Sequence, residues 1–224
     1  MGVGEWGEGG GGDPSSPAHS PNRSQLLHSG SLGVSIKLKE KWNAELVAPK
    51  QEKNKIPYID IEVKDGDLVN LAGLNAKVIH TPGHTLQHIN FFMPQYNILF
   101  SGDTLFSIGC GRMFEGTPEV FWDSLCKIKQ LPKDTKIYCG HEYTSTNVNF
   151  ALSIDPNNKE LQHYSNWTSH QENELRPTIP TMLSDQLLCN PFLRCDEDKF
   201  MKLYESQNVI EVFAKMRSAK DNFS

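Results

Sequence analysis

The sequence contains five cysteines (Cys110, Cys126, Cys139, Cys189 and Cys195), an odd number with no C-x-x-C pair among them. That excludes a disulfide framework in which every thiol is paired, and reduced intracellular thiols are the expectation. Positive charge is not in excess: 22 Lys and Arg stand against 27 Asp and Glu, a net charge of -5. Such a balance excludes a general binder of nucleic acid or anionic membrane. No apolar run reaches the length of a membrane span. The amino terminus lacks a basic segment followed by an apolar core, so no secretory leader is expected, and Trp6 stands where a myristoylation motif needs Ser or Thr. A cytoplasmic protein without internal repeats is expected.

What is present changes character along the chain. Residues 1–36 are rich in Gly, Ser and Pro and have too little apolar area to offset chain entropy, so a disordered tail is expected there. His19 and His28 fall in it and read as solvated side chains. From Lys37 the pattern becomes that of a folded protein. Lys37 to Trp42 reads as the end of a surface helix, Ala44 to Ala48 as a strand, and Ile59 to Val63 alternates as a half-buried strand does. Leu68–Leu71, Ala76–His80, Ile89–Phe92, Ile98–Phe100 and Lys136–Cys139 read as further strands. Phe121, Leu125 and Ile128 recur at helical spacing after Thr117-Pro118, which predicts a helix over 119–130. Beyond His141 the pattern is helical: 144–152, 159–175, 181–188 and a last helix carrying Val209, Val212, Phe213 and Met216.

Three residues able to bind metal follow three of these strands, each beside a glycine. They are His84 in Thr81-Pro82-Gly83-His84, Asp103 in Ser101-Gly102-Asp103, and His141 in Cys139-Gly140-His141. Ligands just past strand ends sit on the rim of a sheet, where clefts form in α/β folds. Two imidazoles and a carboxylate are a plausible donor set for zinc or a similar ion. His88 lies four residues after His84, but Pro82-Gly83 and the strand-like residues after His88 argue against a metal-binding helix. His80 and His88 read as hydrogen-bonded structural histidines.

Val78 to Thr85, Phe100 to Phe106 and Tyr138 to Thr144 resemble the later metal-binding motifs of the metallo-β-lactamase fold. Gly109 to Gly116, Asn190-Pro191-Phe192-Leu193-Arg194 and Met216 to Asp221 are similar, more narrowly, to glyoxalase II (hydroxyacylglutathione hydrolase). The resemblance runs from about Leu38 to the end. It implies an α+β fold: a truncated metallo-β-lactamase-type αβ/βα sandwich over 37–142 with a carboxy-terminal helical domain, of substrate-binding type, over 143–224. It further implies a thioester hydrolase converting S-(2-hydroxyacyl)glutathione, chiefly S-lactoylglutathione, to glutathione and a 2-hydroxy acid, a step of methylglyoxal detoxification. The implied cofactor is zinc, two ions per chain, with iron or manganese as alternatives. His84 would hold one ion and His141 the other, with Asp103 bridging them and orienting the metal-bound hydroxide. Arg112, Tyr143, Arg217 and Lys220 would bind the substrate, whose carboxylates call for cations. Phe114 stands where the family has a tyrosine. A monomer is expected.

The family's earlier H-x-H-x-D-H motif has no counterpart, for no two of the eight histidines stand two residues apart. A shortened family member, lacking the early strands and carrying a tail from an altered start, is therefore expected. Two readings follow: a glutathione-thioester hydrolase, or an inactive remnant that still binds glutathione conjugates.

Overall fold

Alternating apolar residues in the first half of the chain build the sheet that the computed structural model shows. It describes residues 32–56, 58–71 and 73–223. The expected disorder over the first 31 residues, with His19 and His28, lies outside the described residues. Ten strands are described: β1 (Val47–Pro49), β2 (Ile61–Val63), β3 (Leu68–Leu71), β4 (Leu74–His80), β5 (Ile89–Met93), β6 (Ile98–Gly102), β7 (Leu105–Phe106), β8 (Gly109–Cys110), β9 (Lys136–Cys139) and β10 (Thr181–Met182). Seven helices accompany them: α1 (Leu32–Trp42), α2 (Pro118–Lys129), α3 (Thr144–Ile154), α4 (Lys159–Asn173), α5 (Leu183–Cys189), α6 (Asp198–Leu203) and α7 (Val209–Asp221). Among the described residues, no helix is long and apolar enough to cross a membrane.

The main sheet has the order β10-β9-β6-β5-β4-β3. Its pairs are antiparallel except β6 with β9, so β4, β6 and β9 run in one direction. Strand β5 is buried along its whole length, which requires cover on both faces. On one face Ile89, Phe91 and Met93 join Val69, Val78 and Val63, the last from the small parallel pair β1–β2. On the other, Phe92, Leu99 and Ile137 meet Phe121, Leu125 and Ile128 of α2 and Phe213 and Met216 of α7. Side chains alternate across a strand, and that period of two divides these residues between the two cores. Helix α2 starts as its sequence predicts, with Thr117 Oγ1 accepting the Val120 N–H at 3.4 Å and Pro118 in its first turn.

Three differences from the sequence pattern have local causes. Helix α1 begins at Leu32, so the boundary expected at residue 37 falls inside it. Its Lys39 side chain reaches the Tyr58 carbonyl and the Asp60 carboxylate, which ties the helix to the chain before β2. The helix expected over 181–188 starts at Leu183, because Thr181 and Met182 first pair with β9 and extend the sheet. The hairpin β7–β8 and the short helix α6 carry too few residues for a periodic signal, and the sequence pattern missed them.

In the helical region one carboxylate gathers three segments. Asp155, at the end of α3, accepts hydrogen bonds from Arg194 at 3.0 Å, Lys199 at 2.6 Å and Asn158 at 3.1 Å. Burial alone would raise its pKa, but the bonds from Lys199 and Asn158 and the charges of Lys199 and Arg194 hold it below the usual value. A depressed folded-state pKa contributes stability above the unfolded value, and that stability is lost as pH falls through the folded one. Asp155→Ala is therefore expected to cost about 3–5 kcal/mol at pH 7. In urea denaturation across pH, that deficit should persist at the ordinary carboxylate pKa of about 3.9 and close only below it. A deficit independent of pH would show that the carboxylate charge is not what holds the three segments.

Candidate functional site

Because β4, β6 and β9 run the same way, their carboxy-terminal ends lie on one edge of the sheet, and the loops that follow can meet there. His84 comes from the loop after β4, Asp103 from the turn after β6, and His141 from the residues after β9. The Nε2 atoms of His84 and His141 each lie 3.5 Å from the same atom, Asp103 Oδ2. His84 and Asp103 are each 5% exposed, whereas the His141 side chain is half exposed. The site is thus a buried pair opened to solvent on the His141 side.

The backbone around Asp103 is shaped to present its carboxylate. Register between β6 and β9 shifts across Phe100 and Gly102, a bulge of the kind that re-aims a side chain near a functional site. Gly102 has φ +49, and a turn closes from the Ser101 carbonyl to the Thr104 N–H at 3.0 Å. Two further glycines leave room. A Cβ on Gly140 would overlap Asp103 Oδ1, and one on Gly111 would overlap the Asp103 carbonyl and stand 3.0 Å from His84 Nδ1. Gly140 leaves the space in which the carboxylate rests, and Gly111 the space for the Asp103 carbonyl and the His84 ring.

His84 Nδ1 lies 2.8 Å from the Arg112 carbonyl. A carbonyl only accepts, so Nδ1 carries a proton and the ring is turned with Nε2 toward Asp103. This is the arrangement that orients imidazoles as metal ligands. A separation of 3.5 Å from Asp103 Oδ2 is close to the edge of about 3.4 Å in a tetrahedron with bonds of 2.0–2.1 Å. Taken pair by pair, each separation fits an imidazole and a carboxylate sharing a divalent cation. No group of three or more His, Cys, Asp or Glu closes into a metal-holding cluster among the described residues.

Aromatic rings wall the site. Phe114 meets the His84 ring edge-on at 4.9 Å, Tyr143 stacks on His141 at 5.0 Å, and Phe106 approaches both His141 and Tyr143. Phe114 and Tyr143 are 66% and 51% exposed, so both rings stand at the mouth. His80 and His88 are hydrogen-bonded as the sequence suggested: His80 Nε2 to the Leu86 carbonyl at 2.9 Å, His88 to Thr104, Thr81 and the Asp103 backbone. Between His84 and His88 the chain forms a loop, not a helix.

The basic residues share one region near the end of α7. Arg112 is exposed and stands 3.5 Å from Asp221, and Arg217 donates to the same Asp221 oxygen at 3.0 Å. The resemblance implies that Arg217 and Lys220 both bind substrate, but Arg217 is 4% exposed and donates to the Cys110 carbonyl at 2.9 Å. The Lys220 pKa is lowered from its usual value by burial and then by the charges of Arg217 and Arg112. Sequence reasoning missed Asp221, Gly111 and Gly140 as parts of the site. Their only signal was their position within the quoted motifs, since nothing in a glycine's identity says which side chain needs its space.

Residues 10–141 match the Metallo-beta-lactamase superfamily, and residues 142–223 match the Hydroxyacylglutathione hydrolase C-terminus. A hydroxyacylglutathione hydrolase from Hyphomonas neptunium is 44% identical over 88% of this chain and 77% of the relative. One from Maricaulis maris is 46% identical over 80% of this chain and 71% of the relative. The crystal structure of ETHE1 from Myxococcus xanthus, 22% identical, superposes with a TM-score of 0.55 over 85% of this chain and 68% of that one. That likeness extends to the fold. Gly140→Ala, whose methyl overlaps Asp103 Oδ1, is expected to lower zinc affinity about 10–100-fold in competition with a chromogenic chelator. Unchanged affinity in a folded variant would remove Asp103 from the ion-holding set.

Proposed function

The chain belongs to the hydroxyacylglutathione hydrolase family of the metallo-beta-lactamase superfamily, and on that premise we propose that it hydrolyses S-(2-hydroxyacyl)glutathione, S-lactoylglutathione first among them, to glutathione and a 2-hydroxy acid. The observation that carries this reading is the approach of His84 and His141 to one oxygen of Asp103. Zinc is the proposed metal, with iron or manganese as alternatives, and His84, Asp103 and His141 are its proposed donors. A bound divalent cation supplies Lewis-acid polarisation of the thioester carbonyl and lowers the pKa of water.

The chain's own residues supply position and exclusion. His84, fixed through its Nδ1–H to the Arg112 carbonyl, cannot rotate away from Asp103 without breaking that bond. Phe114 covers one side of the His84 ring and Phe106 one side of the His141 ring, which limits how the imidazoles can turn. Tyr143, stacked on His141 at the mouth, is the proposed hydrogen-bond donor to the substrate. The leaving thiolate has an ordinary pKa of about 8.5, so its departure makes little demand on a general acid.

Glutathione carries carboxylates, and Arg112 and Lys220 are the proposed partners, with Arg217 buried behind them on the Cys110 carbonyl. Supporting this, Lys220 is pushed down by burial and by two neighbouring guanidinium groups. An incoming carboxylate offsets that repulsion, so binding energy is available at this end of the cleft. The proposed division is metal chemistry at the sheet edge and substrate recognition along α7.

S-lactoylglutathione hydrolysis, followed by the loss of thioester absorbance in zinc-supplemented buffer, is expected for the parent chain. Asp103→Ala should lower kcat/KM by at least about 100-fold. A zinc-loaded, folded parent that binds the thioester without turning it over would overturn the enzyme reading in favour of a binder. Lys220→Ala should raise KM about tenfold with kcat unchanged, the effect of losing one charge-assisted hydrogen bond made equally in ground and transition states. A fall in kcat with KM unchanged would place Lys220 outside substrate binding.

A further inference from the structure

Beneath Asp103 lies a fully enclosed polar cluster with no part in the chemistry proposed above. His88 is 3% exposed, and Thr81, Asn90 and Thr104 are each 0% exposed. Such a cluster is costly unless every member is satisfied. Its bonds assign the His88 protons. The backbone N–H of Asp103 donates to His88 Nε2 at 3.1 Å. A backbone N–H is a donor only, so Nε2 carries a lone pair and the ring proton sits on Nδ1. From there it is donated to Thr104 Oγ1 at 2.9 Å, with Thr81 Oγ1 at 3.2 Å and the two hydroxyls 2.9 Å apart. The Asn90 amide, oriented to satisfy its neighbours, donates to the Ser101 carbonyl at 2.9 Å. Both ends of the turn that carries Asp103 are thereby held from one side.

We propose that His88 is a positioning residue fixed as the Nδ1–H tautomer, whose Nε2 clamps the Asp103 backbone so that the carboxylate stays aimed between His84 and His141. Its effect on turnover rests on the hydrolase reading, whereas its tautomer does not. The ring touches neither substrate nor the carboxylate oxygens through these bonds; it acts on the peptide N–H that sets where the Asp103 side chain begins. Constraints of this kind, which hold a ligand residue without touching its donor atoms, are worth about 10–100-fold in affinity or activity.

Two variants separate the two ring nitrogens. Glutamine places its Oε1 near the position of Nε2 and keeps an acceptor for Asp103, while losing the donor to Thr104. Asparagine keeps a donor near Nδ1 and loses the acceptor. His88→Gln is expected to stay within about threefold of the parent in zinc affinity and kcat. His88→Asn should lose about 10–100-fold in both, with KM nearly unchanged because the cations at α7 are untouched. Equal behaviour of the two variants, or a larger loss in His88→Gln, overturns the proposal.

Imidazole-nitrogen NMR of the full chain labelled with ¹⁵N-histidine decides the tautomer without any substitution, and so stands even if a variant fails to fold. A protonated Nδ1 and a bare Nε2 at His88 are expected, and the opposite tautomer overturns the proposal. A parent that binds zinc without hydrolysing the thioester sinks the hydrolase reading but leaves the tautomer and zinc-affinity arms to judge His88.

Discussion

The shared direction of β4, β6 and β9 is the constraint from which the site follows. Two antiparallel pairings in succession return β6 to the direction of β4, and the parallel pairing of β6 with β9 adds a third strand that ends on the same edge. Loops following those ends can then deliver His84, Asp103 and His141 to one point although they are far apart in the chain. The pairings are held by rows such as Val78, Phe91 and the partly buried Phe100, aligned directly across the strands. A slip of one residue in any of them would send these side chains to the opposite face and carry the loops with them.

Convergence alone would leave the three side chains loosely placed. Backbone groups supply the remaining precision, through the bulge before Gly102, the turn at Asp103, the Arg112 carbonyl on His84 and the space left by Gly111 and Gly140. The neighbouring hairpin β7–β8 is bonded in turn to the helical region. Asn147 donates to the Ser107 carbonyl at 3.0 Å, Gln186 accepts the Ile108 N–H at 2.7 Å, and Asn190 donates to the Gly109 carbonyl at 3.0 Å. Arg217 adds the Cys110 carbonyl, with its guanidinium over the Phe192 ring at 4.9 Å. The helical region thus grips β7–β8 through polar groups that are buried and costly to leave unpaired. That hairpin carries Phe106 against His141 and leads into Gly111 beneath His84, so the two halves of the chain meet in the site.

Several features were legible from residue order. Strands ending before Gly83, Gly102 and Gly140 pointed to loops at a sheet rim, and the i, i+4, i+7 recurrence of Phe121, Leu125 and Ile128 placed α2 within a residue of its observed bounds. His88 read as structural because Pro82-Gly83 ruled out a helix, and it is indeed enclosed and bonded. Arg217 was less legible. The resemblance implied a substrate contact for it, but a motif cannot say that Phe192 and Cys110 cover that part of α7, which leaves Arg217 buried. Met182 and Thr181 were misassigned for a similar reason, since membership of a sheet depends on which strand edge lies open nearby.

By itself, residue order determined the element types, the family resemblance and the identities of the candidate ligands, because period, capping residues and turn glycines act over a few neighbours. Tertiary structure decided which atoms face one another: the single Asp103 oxygen approached by both imidazoles, the orientation of the His84 ring, the burial of Arg217 and the sharing of Asp221 between two guanidinium groups. These depend on contacts between residues distant in the chain. Distances across a packed site are set by strand register, bulges and the volumes of neighbouring side chains, and none of those is written in the spacing of the residues that use them.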